Sequence, residues 1–146
     1  MADRFTKKRH FLELSKVSIP KAIAPLIRLL GAPDSVVQQY AAKVLGNLTT
    51  NDECRMLAAQ ADGIPPLVGL LGSPDSEVQR YAAKVLYNLT TNDECRVFVA
   101  KAGAIEPLVG LLRSADQVVQ QYATNALSNL ENHGDIKAKI GPADGG

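Results

Sequence analysis

The sequence contains no tryptophan, and its other aromatics are three phenylalanines and four tyrosines in 146 residues. A surface that binds nucleic acid by stacking bases needs more rings than this. Cysteine is also scarce: Cys54 and Cys95 are too few for a disulfide framework. His10 and His133 stand alone, without the spacing of metal ligands. Charge of one sign is missing too, with 16 Lys and Arg against 15 Asp and Glu, a net charge of +1. No global field therefore draws the chain to nucleic acid or to an anionic membrane. Apolar stretches are broken by glycine, proline or charge well short of the ~20 residues that span a bilayer, so no membrane insertion is expected. The basic start, MADRFTKKRH, is followed by no apolar segment of the kind a secretory signal requires. Strand-like alternation is absent, which argues against a βαβ enzyme fold. So are a glycine-rich phosphate loop and any nucleophile–base–orienter set, so neither an enzyme nor a cofactor or metal site is expected. These exclusions leave an intracellular protein, cytoplasmic or nuclear, although KKRH at 7–10 is too short to serve as a nuclear address.

What the sequence does contain is a repeat. Pro25, Pro66 and Pro107 recur at a spacing of 41, as do Asp34, Asp75 and Asp116, and Asn47, Asn88 and Asn129. Residues 23–60 align with 64–101 without a gap, and 27 of the 38 pairs are identical. Each unit reads as three helical segments. Thr50-Asn51-Asp52-Glu53 and Thr91-Asn92-Asp93-Glu94 read as capping boxes that start a short helix ending at Asp62-Gly63 in the first instance. Pro65 and Pro66 fit the first turn of a second helix, and Ser73 with Pro74 reads as the start of the third and longest. The third helices carry an apolar stripe, Val37, Ala41, Val44, Leu45 and Leu48, copied as Val78, Ala82, Val85, Leu86 and Leu89. One such unit cannot bury its apolar face alone, whereas stacked copies share a continuous core. The expected fold is all-α, a right-handed α-solenoid (superhelix) of about three repeats of 41 residues with three helices each.

The run Ile-x-Pro-Leu-Val-x-Leu-Leu-x-Ser-x-Asp-x-x-Val-Gln-x-x-Ala-Ala-x-x-Leu-x-Asn-Leu resembles the armadillo repeat. The likeness covers roughly residues 19 to 140. It divides the chain into an N-terminal segment with a partial cap helix (1–18), repeats at 19–60, 61–101 and 102–141, the last with the start of a fourth, and a tail (142–146). Residues 11–18 serve as the first helix of the first unit. In the last unit Val119, Ala123, Ala126 and Leu127 are expected to leave one side uncovered.

A second stripe runs along the third helices: Val36, Tyr40, Lys43 and Asn47, then Glu77, Tyr81, Lys84 and Asn88, then Val118, Tyr122, Asn125 and Asn129. In armadillo proteins third helices line the concave groove, and the asparagine of Leu-x-Asn-Leu clamps the main chain of an extended peptide. The resemblance implies that role for Asn47, Asn88 and Asn129. A carboxamide suits it, offering an acceptor and two donors to one peptide unit. The alternative is that these asparagines cap or brace neighbouring helices. Where importin-α-like proteins carry tryptophan, four residues before each asparagine, this chain has Lys43, Lys84 and Asn125. That resembles β-catenin more closely and implies a neutral-to-acidic rather than a basic segment of another protein as partner, with Arg80 adding charge nearby. Tyr40, Tyr81 and Tyr122 either wall the groove or pack between repeats. Gly46 against Tyr87, the only difference between AAKVLGNLTTNDECR and AAKVLYNLTTNDECR, marks a place where two layers can treat a ligand differently. The sequons Asn47-Leu48-Thr49 and Asn88-Leu89-Thr90 lie inside expected helices and read as chance matches. Cys54 and Cys95 read as buried structural thiols, one layer apart. Two alternatives to a peptide-binding scaffold stay open: an assembly protein forming a homo-oligomer through exposed solenoid ends, or a designed or truncated armadillo scaffold without a natural partner.

Overall fold

A computed structural model describes residues 19–131. The expectations for His10, the 7–10 basic run, the 11–18 helix, His133, the fourth unit and the tail lie outside these residues. A helix over residues 19–29 (α1) is followed by α2 (Ser35–Leu48), α3 (Asp52–Gln60), α4 (Ile64–Leu70), α5 (Ser76–Leu89), α6 (Asp93–Lys101), α7 (Ile105–Leu111) and α8 (Gln117–Glu131). The order short, short, long recurs as α3-α4-α5 and α6-α7-α8. The long helices stack α2 on α5 and α5 on α8, the leading short helices stack α3 on α6, and α4 and α7 pack against the long helix of their own unit. This is the solenoid expected from the period.

The helix starts differ in detail from the sequence reading. The long helices are capped by the recurrent aspartates, not by Ser73. Asp34 accepts from the Val36 N–H at 2.8 Å, Asp75 from Glu77 and Val78 at 3.0 and 3.3 Å, and Asp116 from Val118 and Val119 at 2.8 and 3.3 Å. Ser73 and Ser114 sit two residues earlier and accept from the N–H of Asp75 and Asp116, each at 3.1 Å. An ionised carboxylate at the cap satisfies an orphan N–H and also favours the positive end of the helix dipole. The short first helices start on Asn51 and Asn92, whose side chains accept from Cys54 and Cys95 N–H at 3.1 and 2.9 Å. Thr50 and Thr91, expected as caps, instead donate backwards to the carbonyls of Asn47 and Asn88 at 3.1 and 2.6 Å. They lie between two helices, and the open carbonyls of the helix just ended claim their hydroxyls.

The stop after α3 also divides its labour unexpectedly. Asp62 takes the left-handed conformation (φ 59), and its equivalent Gly103 does the same (φ 78). Gly63 is needed for closeness: a Cβ there would lie 2.7 Å from Ile27 Cδ1 and 2.8 Å from the Ala58 carbonyl oxygen. Each Val-Gln glutamine then ties its long helix to the connection that leads into it. Gln38 Nε2 donates to Leu30 O at 3.2 Å and Gln79 Nε2 to Leu71 O at 2.9 Å, while Gln120 donates to Ser114 O.

One contiguous core runs through the stack, with Leu45, Leu67, Leu86, Leu89, Leu108 and Leu130 fully enclosed. The apolar stripe is not equally buried in every layer. Val78, Val85 and Leu89 are inaccessible, whereas Val44 is 39% exposed and Val37 and Leu48 are half-buried. Helix α2 covers that side of α5, and among the described residues no equivalent layer precedes α2. At the other end the expectation of an uncovered apolar side is corrected. Val119, Ala123 and Ala126 are inaccessible, Leu127 is half-buried, and the exposed positions Thr124 and Ser128 are polar, on a helix that packs against both α5 and α7.

Candidate functional site

The row α2–α5–α8 brings the second stripe together across three layers, and its members do unequal things. Asn47 is exposed, and its Oδ1 receives only the Lys84 ammonium, at 3.4 Å. Asn88 is buried at 7% exposure, and its Nδ2 donates to Gly46 O at 2.9 Å and to Thr49 Oγ1 at 3.1 Å, both in the preceding layer. Asn129 Nδ2 donates to Thr90 Oγ1 at 3.1 Å. Both amide hydrogens of Asn88 thus brace the layer before it, and its carbonyl oxygen, which no described residue engages, is what remains for a ligand.

Thr49 and Thr90, which sequence reasoning did not single out, complete these links. Both are inaccessible, and their hydroxyls donate to Leu45 O and Tyr87 O at 2.6 Å while accepting from the next asparagine. The signal was present. Leu-Thr follows the asparagine in the first two units, and Glu131 replaces threonine in the third. The threonine that ends each sequon on paper therefore accepts an interlayer bond from the asparagine of the next repeat.

The charged members are also unequal. Lys43 is exposed, and Lys84 is half-buried with its stem laid over Gly46, where a Cβ would stand 3.2 Å from Lys84 Cδ. Neither lysine pairs with a carboxylate among the described residues. Arg80 does: it lies 2.7 Å from Asp116 across the layer boundary and 3.1 Å from Glu77. Its hydrogen bond holds the Asp116 carboxyl below the usual carboxylate range, so the pair is intact at neutral pH and is lost only as acidification passes below that range to the lowered folded-state value. Arg80 accordingly brings little net charge to the groove.

Tyr40 is 60% exposed, while Tyr81 and Tyr122 are half-buried against the core. Tyr122 also stacks on Tyr87, with centroids 5.9 Å apart and planes tilted by 30°. Asn125 is half-buried and accepts from Gln121 Nε2 at 3.0 Å, and Val36 and Val118 are exposed.

Away from this row, Cys54 and Cys95 are buried free thiols, and Cys95 Sγ approaches Met56 Sδ of the preceding layer at 3.8 Å. Burial raises both thiols, Cys95 to about 11. In the folded protein Cys95 is therefore expected to resist iodoacetamide at pH 8 and to react at the ordinary rate once denatured. The folded state holds this proton more tightly than the unfolded one, so its contribution is fully present below about pH 9 and declines as pH rises towards about 11. A mass-spectrometric alkylation time course with a pH-dependent melting series checks both. Among the described residues no group of three or more His, Cys, Asp and Glu could hold a metal, and no helix is long and apolar enough to cross a membrane.

The armadillo/β-catenin-like repeat model matches residues 16–50, 51–91 and 92–130. The chain belongs to the armadillo repeat family. A crystal structure of an engineered protein is similar at 40% identity and TM-score 0.76, over 80% of this chain and 48% of that one. A designed armadillo repeat protein in complex with the peptide (KR)4 is similar at 32% identity and TM-score 0.71, over 75% and 46%. Computationally designed armadillo repeat proteins for modular peptide recognition are similar at 29% identity and TM-score 0.77, over 82% and 52%. The chain thus spans about half the length of these relatives. No curated protein matches it.

Proposed function

We propose that the chain is a peptide-binding scaffold whose α2–α5–α8 face holds an extended segment of another protein. The observation that carries this reading is the alignment of Asn47, Asn88 and Asn129 at one register of three stacked helices. Long helices stack about 8–10 Å apart and an extended chain advances about 3.3 Å per residue, so one asparagine meets every second or third residue. Asn47 offers both amide hydrogens and an oxygen that only Lys84 engages, Asn88 its carbonyl oxygen, and Asn129 its oxygen and one hydrogen. Tyr40, Tyr81 and Tyr122 supply a flat wall.

The designed relatives made for peptide recognition support peptide as the ligand class. The sign of charge differs in this proposal. The relative above holds (KR)4, whereas here Lys43 and Lys84 stand on the face without carboxylate partners among the described residues, which favours a neutral-to-acidic segment. Fluorescence anisotropy with labelled acidic and basic nonapeptides tests it. The acidic peptide is expected to bind more tightly, and Asn47→Ala to weaken it about 2–10-fold, the value of one lost hydrogen bond. Tighter binding of the basic peptide, or unchanged affinity in Asn47→Ala, would contradict the reading.

A further inference from the structure

The two boundaries between long helices are built from the same positions but different residues. At the α2–α5 boundary Gly46 faces Lys84, whose stem fills the space over the glycine. At the α5–α8 boundary the equivalents are Tyr87 and Asn125. Here the ring comes from the earlier helix, and the later helix contributes a short amide held by Gln121. The two pairs are complementary exchanges of volume, nothing against a long stem and a large ring against a short amide. Their chemistry differs as well. The first boundary presents the Lys84 ammonium beside Asn47 Oδ1, with Lys43 exposed on α2. The second presents the half-buried, uncharged Tyr87–Tyr122 ring pair.

We propose that these boundaries are two distinct side-chain subsites, the first for a carboxylate and the second for a flat apolar side chain, so that together they fix the register of the bound segment. The partner this face fits is an extended stretch carrying an acidic residue and an aromatic residue about three positions apart, one layer spacing measured along a strand. The carboxylate replaces Asn47 as the acceptor for Lys84 in a charge-assisted bond. The aromatic side chain extends the existing ring pair, edge or face. This inference rests on the groove reading above and adds to it the identity of the side chains read at each layer.

The test uses labelled nonapeptides on a serine–threonine background. They carry Glu and Tyr three residues apart in either order, with Glu→Gln and Tyr→Ser peptides as controls. For the better order, each control is expected to bind the unaltered protein about 5-fold more weakly. Converting the first boundary to the second with G46Y/K84N should abolish the Glu preference and leave the Tyr preference in place. The reverse exchange, Y87G/N125K, should abolish the Tyr preference and retain that for Glu, and it decides the matter if the first variant does not fold. Binding that depends on Asn47 but ignores both controls, or preferences that survive both exchanges, overturns the subsites while leaving the groove. If no peptide of the set binds the unaltered protein, the groove reading falls with them.

Discussion

Leu86→Ala is expected to lower the unfolding free energy by about 2–5 kcal/mol, the largest effect of any single truncation in this account. Leu86 is inaccessible, and it lies on α5, the helix that packs against α2, α4 and α8 together. Removing its side chain opens a void in a core that the surrounding close-packed structure refills only in part. The same register in the last layer is Leu127, which is only half-buried, so Leu127→Ala should cost clearly less. Total stability of a domain this size is about 5–15 kcal/mol, so the first substitution removes a large share and the second a small one. Urea denaturation followed by helical circular dichroism measures both. Equal losses would mean that the layers do not share one core.

Asn88→Ala is expected to cost about 1–3 kcal/mol, because it leaves the Gly46 carbonyl and the Thr49 hydroxyl without their donor inside the stack. Asn47→Ala, made at the same register but on an exposed residue, should stay within about 0.5 kcal/mol of the parent. The contrast matters for any binding experiment. Loss of peptide affinity in Asn88→Ala mixes a damaged layer boundary with a missing ligand contact, whereas Asn47→Ala breaks no buried bond and gives up only the exposed one from Lys84. Melting curves of the two variants separate them, and a destabilised Asn47→Ala would show that its side chain braces a layer as Asn88 does.

The fold was legible because a solenoid is periodic in both sequence and space. A spacing of 41 and an apolar stripe on each long segment fix the number of helices, their order and most of the core. Which polar residue serves which helix end was not legible. Thr50 and Asn51 are adjacent and chemically able to do the same work, and only the path of the chain decides that asparagine faces forward and threonine back. Ser73 yields to Asp75 for the same reason. The unequal burial of Val44 and Val85 was likewise hidden, since identical letters in identical registers differ only by what stacks on them. The candidate site was visible as a stripe of residue types. Its internal bonds were not: the Leu-Thr after Asn47 and Asn88 is visible in the sequence, but its partner in the Thr49–Asn88 and Thr90–Asn129 links lies 39 residues away and shows only once the layers stack. Gly46 against Tyr87 was visible as a difference, but its partner exchange, Lys84 against Asn125, acquires meaning only once the helices are adjacent.

The most direct test of the central claim is a titration with an acidic extended peptide, followed by the side-chain amide NMR signals of the three asparagines. The Asn47 amide is expected to shift most, those of Asn88 and Asn129 to shift with it at the same midpoint, and signals from α3 and α6 to stay still. Shifts confined to α3 and α6, or peptide binding that leaves all three amides unmoved, would contradict it.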